Sequence, residues 1–271
     1  MMIKVVPKFR PMIWGNPELN NTFNLTTKEP IGEVWLLSGH PLNETVTEDN
    51  KTINLLGQNI YGKKYPIFPL LVKLVSTKQW LSVQVHPDDS FAQTLENEPW
   101  GKSEAWYFLS DGEFAVCENV DLMKEYITSG KVDKLNEILT FVKAKNGTFV
   151  NIPAGTVHAL GPNSTVIEVQ QSSDLTYRIY DWGRQRETHI EKALKVARNI
   201  SLKDIVFENT ESLATEHFSL GKVAPSFVDN ELNLVIHIPT KVSHDFCATI
   251  ILNETLNQIQ QEGIYIYNFF K

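Results

Sequence analysis

Gln84 and His86 stand two residues apart in the alternating run Trp80-Leu81-Ser82-Val83-Gln84-Val85-His86. On a strand that spacing sends both side chains, with Ser82, to one face and Leu81, Val83 and Val85 to the other. An amide oxygen and an imidazole nitrogen so placed can share one ion. Glu104, in Gly101-Lys102-Ser103-Glu104, opens the next strand-like run, which could pair beside the first. His158 follows Pro153-Ala154-Gly155-Thr156-Val157, a turn joining a strand to a loop. Together they offer two imidazole nitrogens, a carboxylate and an amide oxygen, a mixed set that suits Zn²⁺ and leaves positions for water or substrate.

A lone strand histidine is more often structural than a ligand, and His40, His189, His217, His237 and His244 are left in that class. Context separates Gln84 and His86 from them. They form a polar pair on an otherwise apolar strand and run into Pro87-Asp88-Asp89, and burying such groups is costly unless something pairs them.

Short strands punctuated by Pro and Gly must position these residues. Gly32–Ser38, Phe68–Val75 and Trp80–His86 read as strands, as do Thr148–Ile152, Thr165–Gln170, Tyr177–Tyr180, Leu232–Ile238 and Gly263–Phe270. Ala105–Leu109 and Glu113–Cys117 flank Ser110-Asp111-Gly112, which predicts a hairpin with Asp-Gly in its turn. Helical spacing is confined to 121–128, 131–141 and 190–199. Many strands and few helices predict a mainly β protein, a barrel or sandwich of jelly-roll type with a helical insertion. We place Trp80 and Trp106 opposite the ligand face, as core, and leave Trp100 the least constrained of the six tryptophans.

The chain has 271 residues, 42% of them hydrophobic and 21% charged, which suits one large domain or two small ones and excludes a largely disordered chain. A net charge of −7 argues against a general nucleic-acid binder but leaves room for an anionic small substrate in a locally basic pocket. Cys117 and Cys247 form no CxxC, so a reducing cytoplasm is the expected location. No signal-peptide core and no bilayer-spanning apolar run is seen, so no membrane partner is expected.

Gly147-x5-Pro153-x-Gly155-xx-His158, with Asn163 after it, resembles the second cupin motif. Gln84-x-His86 with the later Glu104 resembles the first, with Gln in place of its first His and a long insertion before the Glu. More narrowly, Gln84–Asp89, Gly101–Tyr107, Ile152–Ala159 and Glu168–Arg184 resemble the type I phosphomannose isomerases (mannose-6-phosphate isomerases) in their short bacterial form, as do Trp14-Gly15 and Gly32–Ser38. The likeness runs in order through about residues 1–200.

That resemblance implies a cupin jelly-roll barrel over 1–200, with a helical insertion at about 119–145. Residues 201–271 would be a second, reduced cupin-like β unit, because no second pair of motifs is found there. It implies one zinc held by Gln84, His86, Glu104 and His158, with Gln84 the softest of the four. The implied reaction interconverts mannose 6-phosphate and fructose 6-phosphate by moving a proton between C1 and C2 through an enediol. Arg178 matches the family's catalytic arginine. Lys102 is a candidate for phosphate binding or proton handling and Glu168 a candidate base, and sequence does not rank the two. The expected partner is a phosphorylated hexose, and the expected assembly a monomer or homodimer.

Two other readings share these residues. Two His and a carboxylate also describe an iron-type metallo-cupin, although Lys102 and Arg178 favour a phosphosugar over O₂ chemistry. A non-catalytic sugar-phosphate-binding cupin is the third reading, against which stand complete ligands and an intact arginine.

Overall fold

The structure is a computed structural model that describes residues 1–62, 65–225, 234–252 and 261–269. In chain order its first strands are β1 (Met2–Val6), β2 (Lys8–Pro11), β3 (Ile31–Ser38), β4 (Val46–Thr47), β5 (Leu70–Ser76), β6 (Val83–Val85), β7 (Glu104–Phe108) and β8 (Gly112–Val116). Then come β9 (Thr140–Ala144), β10 (Phe149–Ile152), β11 (His158–Leu160), β12 (Thr165–Gln171) and β13 (Tyr177–Tyr180). The remainder are β14 (Val206–Phe207), β15 (Ser212–Ala214), β16 (Ser219–Gly221), β17 (Leu234–Ile238), β18 (Thr249–Leu252) and β19 (Ile264–Tyr267).

Among the described residues these strands form three sheets. One has the order β14-β10-β7-β12-β5-β3-β2, a second β13-β6-β11-β8-β9, and a third β15-β16-β19-β17-β18-β1-β4. The first two face each other as the jelly-roll barrel, and Trp106, Phe108, Phe114, Val116, Val150, Leu160 and Val166 fill part of the space between them. The third sheet covers the outer face of the first. Val72, Leu74, Tyr107 and Ile167 of one pack with Leu220, Ile236, Ile250 and Ile266 of the other.

Being covered on both faces explains why β5 and β7 are buried along their whole length and read as near-continuous apolar runs. A polar residue on such a strand must then point into the barrel and find a partner there. Glu104 on β7, Lys73 on β5 and Glu168 on β12 all do so.

Helices Val120–Thr128 and Ile190–Val196 cover the back of the second sheet, burying Val120, Met123, Ala193 and Val196 against Val83, Val85 and Ala159. Within the expected helical insertion the α-helix is followed by a 3₁₀ segment, Val132–Glu137, and then by β9. The helix expected over 131–141 is thus shorter and ends in a strand. Of the two late strands expected from sequence, 232–233 and 270 lie outside the described residues, while Leu234–Ile238 and Ile264–Tyr267 are strands.

Two expectations are corrected. β7 and β8 do not form a hairpin across Asp111-Gly112. β7 pairs with β10 and β12, and β8 with β9 and β11, so consecutive strands diverge into opposite sheets. Trp106 is not opposite the ligand face. It shares parity with Glu104, and its ring lies 5.4 Å from that of His158. The third sheet also takes its strands from both ends of the chain. Ile3 of β1 pairs with Ile250 of β18, and Val5 with Thr47 of β4.

Candidate metal centre and its pocket

His86, Glu104 and His158 come together inside the barrel from three separated segments. β6 and β11 are antiparallel neighbours with His158 opposite Gln84, and Glu104 reaches across from the facing sheet. The turn before His158 is tied down by Gly155, whose N–H donates to the His86 carbonyl at 2.9 Å. Gly155 has φ +90°, and a Cβ there would lie 2.9 Å from the Val196 carbonyl oxygen, so the turn requires glycine.

One acceptor atom from each of the three side chains lies within 4.8 Å of the others. Glu104 Oε1 is 3.3 Å from His158 Nε2, and Oε2 is 3.5 Å from His86 Nε2. Such spacings fit ligands sharing one ion at about 2.0–2.2 Å each. The tautomers also fit. His86 Nδ1 is 2.9 Å from the Leu175 carbonyl and His158 Nδ1 is 2.9 Å from the Thr156 carbonyl. Each Nδ1 therefore carries the proton, and each Nε2 turns a lone pair to the centre. Neither Glu104 oxygen, nor His158 Nε2, has a partner in hydrogen-bond geometry, although all are fully buried. Lys102 Nζ pairs with Oε2 at 3.0 Å, and Glu104 Oε1 and His158 Nε2 are left as buried acceptors of the kind a cation would satisfy.

Burial, and then the Lys102 ammonium, push the His86 pKa well below its ordinary value. Burial alone would raise the Glu104 carboxyl, but Lys102 and the two histidines hold it well below the usual carboxylate range. Both shifts favour the deprotonated forms that bind metal. Gln84 borders the same space. Its Oε1 accepts from Ser82 Oγ at 3.1 Å, which fixes the amide and leaves a second lone pair free.

Through Gln84 and Lys102 the centre adjoins a cavity of about 320 Å³ that Glu168, Arg178 and further charged residues also line. Lys102 precedes β7, and its Nζ lies 3.0 Å from Glu104 Oε2 and 3.2 Å from His86 Nε2. Arg178 on β13 stands opposite Gln84 in register. Its Nη1 donates to the Glu187 carbonyl at 2.6 Å, while its buried Nε has no partner.

The sequence model of the phosphomannose isomerase type I catalytic domain matches residues 2–109. The mannose-6-phosphate isomerase ManA of Bacillus subtilis is 33% identical over 242 residues, 80% of this chain and 77% of the relative. This chain belongs to the type I phosphomannose isomerases. The probable mannose-6-phosphate isomerase GmuF of the same organism is 35% identical over 210 residues, 70% of this chain and 66% of that relative's length. Among solved structures, the mannose 6-phosphate isomerase from Bacillus subtilis superposes with a TM-score of 0.72 at 25% identity, covering 98% of this chain and 96% of the other.

All seven residues singled out from sequence border the centre or its cavity. Glu168 is more constrained than sequence implies. Its Oε1 accepts from Lys73 Nζ at 3.0 Å and its Oε2 from Trp106 Nε1 at 3.1 Å. Lys73 is the residue that sequence reading missed. It stands opposite Glu168 on β12 and Trp35 on β3, with its side chain only 3% exposed. The available signal was a lysine in the middle of Leu70-Leu71-Val72-Lys73-Leu74-Val75. Arg10, Glu33, Asp174 and Arg186 also line the cavity and belong to none of the ligand motifs. Of the histidines set aside, His40 accepts from Leu42 N, His189 accepts from Arg178 N, and His237 contacts the Glu262 carbonyl, which are structural roles. No helix among the described residues is long and apolar enough to cross a membrane.

Proposed function

We propose that this chain interconverts mannose 6-phosphate and fructose 6-phosphate, with one Zn²⁺ held by His86, Glu104 and His158 and, as fourth ligand, Gln84. The observation that carries this reading is the buried His86, Glu104 and His158 cluster, with Lys102 beside it, next to a cavity rich in Lys and Arg. Bound there, Zn²⁺ supplies a Lewis acid for the oxyanion that develops as a proton leaves the carbon next to a carbonyl.

The chain's own residues divide the remaining work. Glu168 is the proton carrier between C1 and C2. Of the cavity's carboxylates it lies beside the centre, opposite Trp106, whose ring abuts His158. The buried Lys73 holds its carboxylate in place through a 3.0 Å ion pair. Lys102, a cation poised over the centre, steadies the oxygens at C1 and C2. Arg178 has a fixed charge and an unused buried donor, which it presents to the anionic substrate.

A coupled assay with mannose 6-phosphate, with and without a chelator, tests the activity. Turnover that zinc restores is expected, and absence of turnover with stoichiometric zinc bound refutes the reading. Stoichiometric iron with oxygen consumption would instead support an iron-type cupin. For the base, Glu168→Gln is expected to abolish solvent deuterium entry at C1 and C2, whereas Lys102→Met slows turnover but still exchanges. The opposite pattern would move the role to Lys102.

A further inference from the structure

Between His86 and Glu104 the chain leaves the barrel wall and returns, and Lys102 reaches the centre just before the next strand begins. Glu104 opens β7 and is held from both sides, opposite Ile152 of β10 and Gln170 of β12. Lys102 lies outside the strands, so sheet pairing does not set where its ammonium rests. Its side chain is nonetheless buried, with Nζ 3.0 Å from Glu104 Oε2 and 3.2 Å from His86 Nε2. The backbone of 101–103 must be fixed by other means.

Two side chains outside the ligand set fix it. Asp89 Oδ1 accepts from Gly101 N at 2.8 Å and from Gln171 Nε2 at 2.9 Å. Gln171 Oε1 in turn accepts from Ser103 N at 2.9 Å, and Gln171 N donates to the Ser103 carbonyl at 3.1 Å. Lys102 N, between the two, donates to the Pro87 carbonyl at 2.9 Å. All three amides of the segment are thus held, two by side chains and one by backbone. The segment can come this close because residue 101 is glycine: a Cβ there would lie 2.4 Å from the Pro87 carbonyl oxygen. Asp88 secures the base of the excursion, its Oδ1 accepting from Phe91 N at 3.0 Å. Neither Asp89 nor Gln171 lines the cavity beside the centre.

We infer that Asp89 and Gln171 are positioning residues for Lys102. They form a bracket that does for Gly101–Ser103 what strand pairing does for Glu104, and so hold the ammonium over the metal-binding cluster. What Lys102 does there rests on the isomerase reading above, which the bracket deepens. Neither residue touches the substrate. Their contribution is preorganisation: a cation already in place when charge develops on the sugar oxygens.

Asp89→Ala tests this by three readings on the zinc-loaded protein. Hydrogen exchange, which needs no turnover, should be about tenfold faster at the Gly101 and Ser103 amides, with 104–108 as protected as in wild type. Zinc should remain at one per chain, because β7 still holds Glu104. In turnover of mannose 6-phosphate, kcat should fall about tenfold with KM within about threefold, since the lost placement matters in the transition state. Asp89→Asn keeps an acceptor oxygen for both donors and should restore kcat to within about threefold of wild type. In a Lys102→Met background, Asp89→Ala should lower kcat by less than about twofold more, because the cation it positions is gone. If Asp89→Ala does not fold, Gln171→Met removes the other half of the bracket and is read in the same way. Unchanged exchange at 101 and 103 overturns the inference, as does loss of zinc, a change confined to KM, or a full further loss in the Lys102→Met background. Faster exchange in the variant of a wild-type protein that turns over no sugar phosphate would refute the proposed activity and leave the bracket standing.

Discussion

Lys73→Met is expected to destabilise the fold by about 3–5 kcal/mol, the cost of removing one partner from a buried ion pair. Lys73 Nζ and Glu168 Oε1 are 3.0 Å apart, with side chains 3% and 8% exposed. Methionine keeps most of the lysine's volume, so packing changes little. What remains is a carboxylate in the barrel wall that, among the described residues, keeps Trp106 Nε1 as its donor. Adding Glu168→Gln removes the stranded charge while keeping an acceptor for Trp106. The double variant should therefore lie within about 1–2 kcal/mol of wild type, well short of the sum of the two single losses, because each single variant strands the other's charge. Urea unfolding followed by tryptophan fluorescence and circular dichroism measures all four proteins. Burial alone would lower the Lys73 pKa, but Glu168 and then Glu33 raise it above its ordinary value. A cation whose pKa is raised on folding stabilises fully below the unfolded value of about 10.4, and the gain is lost as pH climbs through the folded one. The Lys73→Met deficit should thus be flat from pH 6 to 9. A deficit under about 1 kcal/mol, or a double variant whose losses simply add, would refute the reasoning.

His158→Ala should abolish stoichiometric zinc in dialysed protein, read by elemental analysis, with the chain still folded. Zinc at a hundredfold its Kd should stabilise the wild type by about 2.7 kcal/mol in denaturant titration, and the increment should vanish in His158→Ala. Metal-free protein should lose stability as pH falls below 6.5, because burial and then Lys102 depress the His86 pKa and the neutral form's advantage erodes toward the folded value. His86→Gln should lower that slope by up to about 1.4 kcal/mol per pH unit; an unchanged slope would count against the shift. Gly101→Ala should cost about 1–3 kcal/mol and reduce turnover. Its Cβ would lie 2.4 Å from the Pro87 carbonyl oxygen and must push the Lys102 backbone aside.

The metal-binding residues were legible because their chemistry is local: period two joins Gln84 to His86, and the glycine turn announces His158. The mainly β class was legible for the same reason. Pairing was not, because Asp111-Gly112 favours a turn but does not say which edges of β7 and β8 are already taken by β10, β12, β9 and β11. Lys73 was obscured because a lysine in a strand reads as a solvated face until the strand is known to be covered on both sides. Arg186, which lines the cavity, is tied to Asp181 by two hydrogen bonds across an irregular turn, for which no periodicity exists.

The pairing of β1 with β18 sets an order on synthesis. Residues 2–4 leave the ribosome long before residues 249–251, the neighbours they pair with, and the Met1 amine meets the Leu252 carbonyl only then. Until that moment β1 is an open edge available to any other chain. Arrival of β18, rather than completion of the barrel, is therefore when this edge stops being vulnerable to aggregation, and a bulky N-terminal fusion would prolong that interval.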